Sequence, residues 1–319
     1  MPPRRATPHP ASLGVHLPPC AGQDPAGPPD ALDLRRAVCA WFEESARDLP
    51  WRDPAAGAWA VLVSEVMLQQ TPVVRVEPIW REWMHRWPDP RALASASTAE
   101  VLQAWRGLGY PRRALRLREC AVVIRDHHGG RVPSEEAHLR ALPGIGEYTA
   151  AAVRSFAFTA HAVVLDTNVR RVLGRVVGGE ALPPPTLTRA ERERAASLLP
   201  REPGQAARWN VAVMELGALI CTARSPLCQD CPVARHCRWR AEGYPPDAHA
   251  ARRRRQPWEG TDRQARGRVM AALRASAQPL PRDELEPLWP QDPTQLDRAL
   301  ASLVADGLAT HTPRGYLLG

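Results

Sequence analysis

"ALPGIGEYTAAAVRSFAF" spans Ala141 to Phe158. Gly144 and Gly146 allow a tight turn there, because glycine tolerates backbone angles closed to residues with a Cβ. The residues after the turn read as a helix over 146–158. Backbone N–H groups at such a turn, opening a helix, form a natural phosphate site. An ordinary helix–helix turn needs the same glycines, so the turn alone names no ligand. Tyr148 stands just past it. Its phenol, with an ordinary pKa near 10, is a poor nucleophile at neutral pH and a good hydrogen-bond donor.

Outward from this stretch, the chain reads as helices separated by Pro- and Gly-bearing turns. Segments 31–50, 59–70, 73–86, 98–105, 111–128 and 134–141 precede it; 169–177, 188–199 and 206–220 follow. "HAVVLD" (161–166) is short and extended. The main body is therefore expected to be all-α. Residues 241–260 look like a basic linker. Residues 261–319 show three helical patterns and a hairpin ("LATHT", "GYLLG"), which suggests a small winged-helix-like module.

The formal net charge of +8 and pI near 9.6 favour a polyanionic partner. A basic protein with no such partner is the plainer alternative. No apolar run approaches the roughly 20 residues of a membrane span. Residues 1–30 hold nine prolines and no apolar stretch. They are expected to be a disordered tail rather than a secretory signal, which points to the cytoplasm. All 42 basic residues are arginine, so the chain offers no side-chain amine for a Schiff base.

Cys221, Cys228, Cys231 and Cys237 follow the spacing C-x6-C-x2-C-x5-C. Such clustering points to a metal site; four thiolates on one loop suit zinc or a [4Fe–4S] cube, and spacing does not separate them. Cys20, Cys39 and Cys120 lie outside the pattern and are expected as buried free thiols. Glu65 lies within the apolar run "WAVLVSEVML", where burial would resist its ionisation and make it a proton donor near neutral pH. A solvent-facing or arginine-paired helix glutamate fits the same pattern. Asp166 ends the extended stretch before a helix, the place of an N-cap.

These motifs, in this order over about residues 31–240, resemble the helix-hairpin-helix DNA glycosylases, the superfamily of endonuclease III and MutY. "LPGIGEYTA" looks like their hairpin, "VVLDTNVRR" like their catalytic loop, and the cysteine spacing like their cluster loop. "LPWRDP", "SEVMLQQT", "GLGY" and "MELGALICT" resemble the MutY branch. The resemblance implies a six-helix barrel domain (53–159) with the hairpin. Beside it stands an iron–sulfur cluster domain (31–52 and 160–240), and a [4Fe–4S] cofactor fills the four-cysteine loop.

The resemblance further implies a monomeric, nucleoid-associated enzyme acting on double-stranded DNA that contains a mispair, with no membrane partner. It would remove adenine opposite 8-oxoguanine or guanine and leave the strand uncut. Glu65 matches the acid and Asp166 the catalytic aspartate, while Asn168 matches a residue that orients the site. Tyr148 stands where the bifunctional branch has lysine and is expected to donate a hydrogen bond to Asp166. Trp51 and Arg52 match the mouth of the adenine pocket. Gln70, Thr71, Leu108 and Tyr110 match residues near the opposite base. Gly144 and Gly146 match the phosphate-binding turn. Arg224 is a second phosphate contact or a solvated loop arginine.

Three departures stand out. Pro111 replaces a second tyrosine after "GLGY", Val211 replaces a polar residue after Asn210, and the tail is too short for a Nudix-like domain. Two alternatives stay open: a mismatch thymine or uracil glycosylase, and a non-enzymatic DNA-binding protein.

Overall fold

The computed structural model describes residues 31–253 and 258–319. Helix α1 (Ala31–Ser45) is followed by α2 (Gly57–Leu68), α3 (Val73–Arg86), α4 (Pro90–Ala94), α5 (Thr98–Trp105), α6 (Arg112–His127), α7 (Glu136–Ala141) and α8 (Glu147–Phe158). Then come α9 (Thr167–Leu173), which runs on as a π-helical segment Gly174–Gly178, α10 (Arg189–Leu198), α11 (Pro203–Leu219) and α12 (Arg238–Ala241). The C-terminal part holds α13 (Asp262–Ala275), α14 (Arg282–Leu285), α15 (Pro293–Ala305) and the hairpin β1 (Ala309–Thr312) and β2 (Gly315–Leu318). The architecture is all-α apart from that hairpin.

Local chemistry sets the helix starts. Ser97 and Thr188 form capping boxes with Glu100 and Glu191. Glu202 caps α11 ahead of Pro203, whose missing N–H has no partner to lose at a first helical position. Helix α2 is buried from Trp59 through Met67, so it runs through the interior rather than along the surface.

Two apolar cores form. One packs α9, α10 and α11 around α1 through Leu34, Val38, Val172, Leu198, Trp209 and Leu216. The other fills the α2–α8 barrel, where Trp83 makes edge contacts to Trp87 and Trp105. The C-terminal module joins the barrel core through Ala265, Val269, Leu273, Trp289 and Leu300 instead of building a separate one. Gln103 donates to the Arg274 carbonyl at 2.9 Å, and Arg112 and Arg266 both pair with Asp306. Tyr316 of β2 also bridges Leu280, giving three helices and a small wing.

Cys120 is a buried free thiol, pushed up to about 12 by burial. Cys39 is buried too, but it is disulfide-bonded, which corrects the expectation of a free thiol. Cys20 and the expected tail of residues 1–30 lie outside the described residues.

Candidate active site

Helices α2 and α8 pack together, and this contact brings Glu65 and Tyr148 face to face. Glu65 is 5 % exposed. Burial raises its carboxyl to about 7; the charge of Asp166 pushes the same way, while the Tyr148 hydrogen bond and Arg52 pull back. The Tyr148 hydroxyl donates to Glu65 Oε2 at 2.8 Å. This corrects the sequence expectation, which gave Asp166 as the acceptor. The phenol is held well above its ordinary value, by burial first and then by the two carboxylates, so it stays a donor.

Asp166 caps α9. Its Oδ1 accepts from the Val169 N–H at 2.6 Å and its Oδ2 from the Asn168 amide at 2.8 Å. Burial raises its pKa, while those donors and the Arg171 charge oppose the rise. Two carboxyls thus face one space with different supports: Glu65 meets the Tyr148 phenol and the Arg52 charge, while Asp166 meets N–H donors of Val169 and Asn168 and the Arg171 charge. Arg171 donates to Asn168 Oδ1 and to the Gly217 carbonyl, each at 2.7 Å, and so fixes the amide that holds Asp166.

Glu65, Tyr148, Asp166, Asn168, Trp51, Arg52, Gln70 and Thr71 line one cleft of about 1650 Å³. Small-molecule pockets usually hold roughly 300–1,000 Å³. This cleft is larger than that range. Gly144 (φ +77°) and Gly146 lie in the exposed turn outside this cleft; a Cβ on Gly144 would meet Arg116 Cβ at 2.9 Å. Arg224 is exposed on the cysteine loop, also outside the cleft. Thr71 and Leu108 are packed inward, and the Thr71 hydroxyl donates to the Leu108 carbonyl at 3.1 Å. Gln70 and Tyr110 are exposed, both at positive φ.

Two residues near the cleft went unread in the sequence. Arg113 donates to the carbonyls of Val66, Met67, Gln69 and Gly109, tying the end of α2 to the loop before α6. Burial lowers its guanidinium to about 10. Glu215 on α11 accepts from Arg47 and Arg52, each at 2.7 Å, anchoring Arg52 at the cleft. Neither had a local signal, since an arginine in "PRRAL" and a glutamate in "MELG" look ordinary until their distant partners are placed.

Burial alone would raise Glu215, but Arg47 and Arg52 outweigh it and hold the carboxyl at about 2. Its stabilising contribution is complete above the ordinary carboxylate range and fades as pH falls toward 2. Glu215→Gln is expected to cost about 2–3 kcal/mol at pH 7, with the gap to the unsubstituted protein closing in acid. Urea unfolding at several pH values checks this.

Residues 63–197 match the HhH-GPD superfamily of base excision DNA repair proteins, and residues 221–237 match the iron–sulfur binding domain of endonuclease III. The adenine DNA glycosylase of Mycolicibacterium smegmatis is 52% identical over 87% of this chain and 93% of its own. A thymine-DNA glycosylase of Aeropyrum pernix is 37% identical over 64% of this chain and 92% of its own. Among solved structures, a thermostable thymine-DNA glycosylase superposes with a TM-score of 0.60 at 27% identity, covering 67% of this chain and 97% of that one. The chain belongs to the adenine DNA glycosylase family.

The iron–sulfur match runs from Cys221 to Cys237, and the donors in that loop fit a [4Fe–4S] cluster, which Cys221, Cys228, Cys231 and Cys237 would hold. Cys221, Cys228, Cys231 and Cys237 line one apolar cavity with Val172, Leu216 and Val233. The donors are all sulfur. Burial, with the charge of the other three thiols added, pushes Cys231 up to about 11; holding four thiolates there requires a cationic group. Arg175, stacked on Trp239, donates an N–H to Cys221 Sγ at 3.3 Å and supports the ligand from behind. Within the glycosylase cleft, Val211 lines the wall as an apolar residue, and Pro111 stands at the start of α6.

Proposed function

We propose that this chain removes adenine mispaired with 8-oxoguanine or guanine from double-stranded DNA by hydrolysing the N-glycosidic bond, and that it leaves the strand uncut. The observation that carries the reading is the pair of carboxyls, Glu65 at about 7 and Asp166 with its donors, on one cleft. The adenine is flipped out of the stack into the cleft, because its reacting atoms are inaccessible within a duplex. Glu65, still partly protonated near neutral pH, gives its proton to the purine at N7. The sugar–nitrogen bond breaks, and its electron pair leaves with the base. Asp166 faces the resulting positive sugar, stabilises it and is positioned to trap it covalently. Water then completes hydrolysis.

Tyr148 holds Glu65 in place and offers no amine for strand cleavage. The enzyme acts as a monomer at the nucleoid in the cytoplasm. No described helix is long and apolar enough to cross a membrane.

The decisive assay measures base release from duplexes with A opposite 8-oxoguanine, G, C and T. Adenine release favouring the first two supports the reading. The likeness to thymine-DNA glycosylases favours a second reading, and release of thymine or uracil from mispairs would establish it instead. Borohydride is expected to trap no enzyme–DNA adduct, with strand breaks appearing only after alkali; robust trapping would overturn the monofunctional mechanism.

The Tyr148 contact gives a separate pH prediction. The phenol favours the ionised form of Glu65, so Tyr148→Phe removes a contribution that lowers its pKa. The alkaline limb of the single-turnover pH–rate profile is therefore expected to move to higher pH in the variant. A shift toward acid would contradict the geometry.

A further inference from the structure

The C-terminal module brings a cation to the loop beside the cleft. The Arg263 guanidinium lies 5.3 Å from the Tyr110 ring centroid and 4.9 Å from that of Trp258. Both rings are largely open, with Tyr110 43 % and Trp258 50 % exposed. Arg266 and Arg282 of the same module are paired with Asp306 and Asp297, but among the described residues Arg263 pairs with no carboxylate. Its charge thus sits within cation–π range of two rings, and its N–H donors are free for a charged oxygen.

The position of this cluster supplies the ligand class. Tyr110 ends the Gly107–Tyr110 loop, which Arg113 ties to Gln69 at the cleft rim. One turn along α6, Arg116 backs Gly144 of the exposed hairpin turn. Arg112, at the start of the same helix, pairs with Asp306 of the module. Cleft rim, hairpin and module therefore meet along one end of α6, and the sequence run Arg252–Arg255 leads into Trp258.

We propose that Trp258, Arg263 and Tyr110 form a clamp on a phosphodiester backbone of the bound duplex, so that the short tail serves as a DNA-binding element. The proposal rests on the glycosylase reading above. Arg263 meets a phosphate through its N–H donors, and the two neighbouring rings favour its charge at that place. A backbone contact carries no sequence information, so it adds affinity without selecting the opposite base.

The test compares Arg263→Gln, Arg263→Lys and Trp258→Ala in the full chain by fluorescence anisotropy on the A·8-oxoguanine, A·G and fully paired duplexes at several salt concentrations. Expected for Arg263→Gln is a Kd weakened about 3- to 10-fold on all three duplexes, with the salt slope reduced by about one. Arg263→Lys, which keeps charge but not the planar guanidinium, should recover part of the loss, and Trp258→Ala should weaken binding in the same uniform way. Unchanged affinity and slope in Arg263→Gln would overturn the proposal, as would a loss confined to the 8-oxoguanine duplex. Base release by the unsubstituted chain, measured beside these, separates failure of the clamp from failure of the enzymatic reading.

Discussion

Glu65→Gln is expected to slow adenine release by about 10²- to 10⁴-fold, the usual worth of a general acid, and to make the protein more stable in alkali. The two effects have one cause. Glu65 is buried with a carboxyl at about 7, against an ordinary value of 4.5. A group raised in this way favours the folded state in its protonated form. That contribution is complete below pH 4.5 and is lost as pH climbs through 7.

Glutamine has the same shape, accepts from the Tyr148 hydroxyl and never ionises. The variant should therefore match the parent at pH 5 and exceed it by up to about 3 kcal/mol at pH 9. Thermal unfolding followed across that range reads the difference. A gap that ignores pH, or a glutamine variant weaker at pH 9, would mean that the carboxyl is not held as a buried acid.

Asp166→Asn should be just as damaging to catalysis and nearly silent in the fold. Asparagine is as good an N-cap as aspartate and can still accept from the Val169 N–H. What it lacks is the negative charge facing the sugar. Removing such a preorganised electrostatic contact costs on the order of 10³-fold in rate. Single-turnover release of adenine is expected to fall at least that far, with duplex affinity retained. Release within tenfold of the parent would remove Asp166 from the chemistry.

These two residues drew attention because each has a local signal. But that signal fitted a solvent-facing glutamate and a plain N-cap equally well, and only the resemblance to glycosylase motifs gave them chemical roles. Glu65 is a carboxylate in an apolar helix, and Asp166 stands where an extended stretch turns into one. The partner of Tyr148 was not legible. The residue lies 83 positions from Glu65, and the α2–α8 packing, rather than any nearby pattern, decides which carboxylate its hydroxyl reaches. Arg113 and Glu215 escaped for the same reason, their partners being backbone carbonyls and arginines far along the chain. Cys39 carried no signal that told a disulfide from a free thiol. The helix order could be read because Pro and Gly punctuate it. That the tail would merge with the barrel could not, since the apolar face of α13 looks the same whichever surface covers it.

That merging changes what a nonsense mutation would mean. A stop codon upstream of Ala265 would strip Val269, Leu273, Trp289 and Leu300 from the packing around the barrel, as well as the support that Asp306 gives Arg112. The lesion would be felt as lower abundance of the whole catalytic half, well before any question of which DNA it still recognised.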